Sequence, residues 1–95
     1  MVIELESKEE FEELLKSGAM LVDVQEAEEL GSGGLDYEAH WPLSTFASRK
    51  KVIPEDRALV FYCRSGLRSQ KAAEIAAEWG GGLCYTLQGG YTRFR

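Results

Sequence analysis

The stretch Ala58-Leu59-Val60-Phe61-Tyr62-Cys63-Arg64-Ser65-Gly66-Leu67-Arg68-Ser69 decides how the rest of the chain is read. Its first five residues form a β-rich apolar run without polar alternation, the pattern of a strand buried on both faces as in a parallel sheet. From Ser69 to Trp79, apolar residues at 72, 73, 76, 77 and 79 mark one face of a helix, which Gly80, Gly81 and Gly82 end. Cys63 to Arg68 is then the loop that joins strand to helix.

Outward from this junction the same alternation continues. Val2–Leu5 reads as a short opening strand. Ser7 and Glu10 make an S-x-x-E capping box before Phe11, Leu14 and Leu15, and Gly18 closes that helix. Met20–Val24 is a second buried-strand pattern, and Glu26–Leu30 a helical turn ended by Gly31, Gly33 and Gly34. From there to Pro42 no period is visible, so a long loop is expected; Ser44 can cap a short helix through Lys50. Leu83–Leu87 is a last strand before Gly89-Gly90 and a terminal turn. Alternating strands and helices favour an α/β fold, a parallel sheet with helices on both faces.

The 95 residues fit one domain, 1–95, and at 10.6 kDa they should expose about 5,500 Å² when folded. The composition is 44% hydrophobic and 28% charged with a net charge of −5, which argues against disorder and against nucleic acid as a partner. No apolar run approaches the roughly 20 residues of a membrane helix, and the N-terminus lacks a signal-peptide pattern. A soluble, cytoplasmic chain without membrane partners is expected. Two cysteines and one histidine cannot complete a four-ligand zinc site, so no metal is expected. Charge is unevenly placed: residues 1–48 hold 2 basic and 12 acidic side chains, residues 49–95 hold 9 and 4. A small anion would be drawn to the second half.

The chemistry converges on Cys63. Ligands of open α/β sheets bind beyond the carboxyl ends of strands, which is where this cysteine lies. The following helix offers unpaired N–H groups, and amides around Gly66 can form an anion-holding nest. Arg64 and Arg68 add permanent cations with forks suited to oxyanions. These influences favour thiolate over thiol. A cysteine after an apolar run is otherwise often a small core residue, and Cys84, with no such surroundings, is read that way. His40 is read as packing or surface polarity, and Asp23 as a hydrogen-bonding group at a strand end.

At these residues the chain resembles a family. ALVFYCRSGLRSQKAAEIAAEWGG followed by LCYTLQGGYTRF is similar to a rhodanese domain, and LVDVQEAEEL resembles that family's LVDVR-E-P-E-E-[FY] segment. The resemblance implies a rhodanese-like parallel five-stranded sheet flanked by helices on both faces. It also implies a thiosulfate sulfurtransferase that uses no cofactor. Cys63 would take the sulfane sulfur, releasing sulfite, and pass it from a persulfide to cyanide or a thiol, a thioredoxin-like protein among the acceptors. The substrate-binding residues would be Arg64, Ser65, Gly66, Leu67, Arg68 and Ser69. The chain departs from the family pattern at Gln25 (usually Arg), at Ala27 (usually Pro) and across Gly33–Glu38, where a G-H-I-P-G-A segment is usual. Two alternatives remain open. One is a phosphatase or arsenate reductase, although Arg68 lies one residue short of the phosphatase spacing and Ser69 occupies that place. The other is a non-catalytic partner-binding module.

Overall fold

The computed structural model describes residues 1–95, apart from the side chains at 47 and 49–52. Five strands, β1 (Val2–Leu5), β2 (Met20–Asp23), β3 (Ala39–His40), β4 (Leu59–Tyr62) and β5 (Cys84–Leu87), form one sheet in the order β1-β5-β4-β2-β3. All pairs are parallel, with Leu21 opposite Val60 and Val60 opposite Tyr85 across the centre. Two α-helices, α1 (Lys8–Lys16) and α2 (Leu67–Glu78), and three 3₁₀ helices, Ala27–Ser32, Leu43–Val52 and Tyr91–Phe94, complete the chain. The α/β class and the five-stranded parallel sheet agree with the sequence reading.

Strand β4 is central and fully buried, which is why it carries no polar alternation. Leu59, Phe61 and Cys63 face one layer, with Ala72, Ala73 and Ala76 of α2 and the rings of Trp41 and Phe46. Phe46 packs edge-on to Phe61 at 5.7 Å and stacks on Trp79 at 5.4 Å. Val60 and Tyr62 face the other layer, with Phe11 of α1 and with Tyr91 and Phe94 of the last 3₁₀ helix. Helices therefore do cover both faces. The exposed surface is 5357 Å², close to that expected from mass. Among the described residues no helix is long and apolar enough to cross a membrane.

Ser7 caps α1 as its sequence implies, its Oγ accepting the Glu10 N–H at 3.1 Å. Three boundaries differ from the sequence reading. The loop ending at Pro42 contains β3, whose two residues pair with Val22 and Asp23. Ser44 does not cap the 43–52 segment, whose N-cap is Pro42; its hydroxyl donates to Glu26 Oε1 at 2.6 Å instead. Helix α2 begins at Leu67, two residues before Ser69, because Gly66 reverses the chain at φ +96°. The reading through Lys50 falls partly on side chains outside the described residues.

Candidate active site

The early start of α2 changes the loop. Only Cys63, Arg64, Ser65 and Gly66 separate β4 from α2, so Leu67, Arg68 and Ser69 stand in the first helical turn, where N–H groups lack intrahelical partners. The short loop wraps the sulfur. The Gly66 N–H donates to Cys63 Sγ at 3.1 Å, and the Ser69 hydroxyl oxygen lies 3.7 Å from it. Ser69 is itself buried, in contact with Thr86 Oγ1 at 2.6 Å and donating to the Gly66 carbonyl at 3.1 Å. Burial opposes ionisation of Cys63. The Ser69 N–H and hydroxyl and the N–H groups of Gly66 and Ser65 outweigh it, and the thiol lies below its ordinary value. Cys84 shows the opposite balance: burial raises its thiol, which donates to the Gly82 carbonyl at 3.3 Å.

Close packing behind the loop fixes its path. The Tyr91 N–H donates to the Cys63 carbonyl at 3.1 Å. A Cβ at Gly90, which has φ +93°, would sit 1.8 Å from the Arg64 carbonyl oxygen, so only glycine lets the two backbones pass. Cys63 presents no surface to water, whereas Arg64 and Ser65 are exposed and Leu67 is 79% exposed. A reactant therefore reaches the sulfur only when rim groups move aside.

The two arginines are not equivalent. Among the described residues Arg64 has no salt-bridge partner. Arg68 is gripped by Glu29, one nitrogen on each carboxylate oxygen, with Nη2 at 2.6 Å from Oε2. The sequence reading, which took both as permanent cations, did not include this partner. Hydrogen bonding to Arg68 and to the Glu26 N–H holds the Glu29 carboxyl at about 2. Glu26 in turn accepts from the N–H and hydroxyl of Ser44. Glu26 and Glu29, which the sequence reading did not select, thus strap the 27–32 segment to the Arg68 and Ser44 side of the fold. Their E-x-x-E spacing is the one local trace of this arrangement, a capping box with glutamate in place of the favoured N-cap residues.

Asp23 does act as a structural acceptor. Its carboxylate is buried and takes the Gln25 N–H at 2.8 Å and Gln25 Nε2 at 3.1 Å. His40 lies in β3 with Nε2 2.7 Å from the Gln25 carbonyl, a packing role. A cavity of about 530 Å³ opens beyond β2, lined by Asp23, Gly34, Tyr37 and Arg95, and Cys63 is not part of its wall.

A buried strand-end cysteine ringed by helix-start amides defines an anion-stabilising cysteine site on an open α/β sheet. The model of the rhodanese-like domain family matches residues 7–95, and the chain belongs to that family. A sulfurtransferase of Allochromatium vinosum is 33% identical over 91 residues, covering 95% of this chain and 85% of that protein. Among solved structures, a human single-domain sulfurtransferase superposes with a TM-score of 0.73 at 25% identity, covering 98% and 93% of the two chains. Reduced Bacillus anthracis CoADR-RHD superposes with a TM-score of 0.85 at 26% identity, covering 98% of this chain, which spans only 16% of that one.

Proposed function

We propose that the protein is a sulfurtransferase that carries sulfane sulfur on Cys63. The observation that carries this reading is the donor ring on Sγ, with Gly66 N–H at 3.1 Å and Ser69 and Ser65 contributing. In the proposed cycle the Cys63 thiolate attacks the outer sulfur of thiosulfate. The S–S bond of the donor breaks, its electron pair leaves with sulfite, and Cys63 becomes a persulfide. A cyanide or thiolate acceptor, small or carried on a thioredoxin-like protein, then attacks the outer sulfur and restores the thiolate. Sulfite is a stable anion, so the step needs no general acid. The same amides would hold the anionic persulfide as an oxyanion hole holds its charge. Arg64 supplies the free cation, Leu67 the exposed rim, and Arg68 and Ser69 their backbone groups and, for Ser69, its hydroxyl.

The kinship with the A. vinosum and human sulfurtransferases supports this reading over a non-catalytic module. The phosphatase alternative needs an arginine fork free to take a phosphoryl group, and here Glu29 occupies the fork of Arg68. Intact protein incubated with thiosulfate should gain the mass of one sulfur atom, and cyanide should remove it. Cys63→Ser should lose the gain and Cys84→Ser should keep it. A sulfur adduct that survives in Cys63→Ser overturns the assignment.

A further inference from the structure

We propose that Glu29 is a specificity-determining residue that masks the charge of Arg68 and so sets how strongly the Cys63 site attracts small dianions; this rests on the reading of that site as an anion-binding cysteine site. Three observations carry it. The pairing is bidentate, and it takes both terminal nitrogens of Arg68. Glu29 comes from a separate segment, 39 residues away in sequence, and is no partner from within the helix that bears Arg68. The pair is also close enough to the site for the charges to be felt: Arg68 senses Cys63, and Glu29 senses Arg64.

The consequence is a change in what an incoming anion meets. With the pair intact, Arg68 and Glu29 sum to zero, and attraction comes from Arg64 and the loop amides. The loop's two arginines therefore act on an anion as one. Both partners are only about one-third exposed, with side-chain accessibility of 32% each, so solvent weakens the charge of Glu29 without abolishing it. A direct-ligand role for Arg68 is a different arrangement, in which the anion displaces Glu29 and takes the fork itself. The two arrangements differ in one combination of variants.

The experiment measures protection of Cys63 from iodoacetamide by sulfate, at low ionic strength, in four proteins. Native protein has a neutral pair, Glu29→Gln leaves one positive charge, Arg68→Ala leaves one negative charge, and the double variant is again neutral. For masking, half-protection by sulfate should fall about three- to tenfold in Glu29→Gln and rise about three- to tenfold in Arg68→Ala, the range of about 0.7–1.4 kcal/mol for partly screened charges. The double variant should return to within about twofold of native. Glu29→Asp, which keeps the charge, should stay near native where a purely architectural role of Glu29 would not restore it. The Glu29→Gln gain should also shrink as salt is raised.

A double variant as weak as Arg68→Ala overturns the proposal, because Arg68 is then a direct ligand. Equal protection in native and Glu29→Gln overturns it too, as does sulfate failing to protect any of the four. None of these results bears on whether Cys63 carries sulfur, which the thiosulfate mass shift decides separately. Far-ultraviolet circular dichroism and the thermal midpoint of each variant identify any protein that has lost its fold, and Glu29→Ala or Arg68→Gln, which make the same charge changes, then takes its place.

Discussion

Removing the Ser69 hydroxyl tests the account of Cys63 activation at one atom. In Ser69→Ala the backbone donors of Ser65, Gly66 and Ser69 remain, and only the Oγ, 3.7 Å from Sγ, is lost; its one proton, given to the Gly66 carbonyl while the thiol is neutral, turns to the sulfur when the thiol ionises. A hydrogen bond to a charged group is worth roughly 1.5–3 kcal/mol, and one pKa unit is about 1.36 kcal/mol. The long O···S distance places the loss at the low end, so the Cys63 thiol should rise by about one unit. Below both midpoints the thiolate fraction then falls about tenfold. A more basic thiolate is also a better nucleophile, by about threefold per unit at a Brønsted slope near 0.45, so alkylation should slow by only about threefold. Above both midpoints the variant should react about threefold faster than native. The two rate profiles must therefore cross.

The assay is iodoacetamide alkylation of Cys63 against pH, read by peptide mass. Midpoints and relative rates are both read, because the sulfur is closed to water and rim movement slows native and variant alike. Thr86→Val removes the group 2.6 Å from Ser69 Oγ and should shift Cys63 in the same direction by less, since only the polarisation of Ser69 is lost. Ser69→Ala also leaves the buried Thr86 hydroxyl without that partner, at a cost of about 1–3 kcal/mol, which the double variant with Thr86→Val should partly relieve. An unmoved midpoint, or profiles that run parallel without crossing, would falsify the claim that the hydroxyl stabilises the thiolate.

Two further outcomes follow from backbone packing and from the strap. Gly90→Ala would bring a Cβ to 1.8 Å of the Arg64 carbonyl at φ +93°, so it should destabilise the fold by more than about 1 kcal/mol and displace the Cys63 loop; an unchanged urea midpoint refutes this. Glu29 has a carboxyl lowered to about 2, so its pairing contributes stability that is fully present above the ordinary value of 4.5 and is lost as pH falls through about 2. Native protein should consequently lose more stability between pH 4.5 and 2 than Glu29→Gln, and a Glu29 titration by carbon NMR with a midpoint above 4 contradicts the pairing.

The central strand and the helix after it were legible because burial on both faces of β4 leaves no polar residue in Ala58–Tyr62. The start of α2 was misplaced because its first residue, Leu67, is exposed and contributes nothing to the apolar period, which begins at Ala72. A two-residue strand has no period at all, so β3 could not be read from Ala39-His40. Cys63 was legible because its donors are local: Ser65, Gly66 and Ser69 lie within six residues. Glu29 was not, because its partner lies across the fold and its own neighbourhood is merely acidic. The charge imbalance between the two halves of the sequence spoke for anion attraction to the second half and did not point to this pair.

Polar contacts carry much of the meeting of basic loop and acidic segment. Among the described residues the 27–32 segment has none that is fully buried, Leu30 being half-buried. Its fastenings are Glu26 to Ser44, Glu29 to Arg68, and Gln25 Nε2 to the Gly33 carbonyl at 3.2 Å. Gln25 stands where the family usually has arginine. An arginine brings five donors and no acceptor, whereas the glutamine amide spends its donors on Asp23 and Gly33. Its Oε1 is then buried without a partner among the described residues, an arrangement that costs free energy rather than contributing it. Ala27, where proline is usual at the first helical position, leaves the entry to the segment less restrained. The unpartnered Oε1 thus offsets part of what Gln25 Nε2 contributes to the support beneath the residue that pairs with Arg68. On the proposed masking role, the charge that a ligand meets at Cys63 would depend on a strap that salt, and acid near pH 2, can loosen.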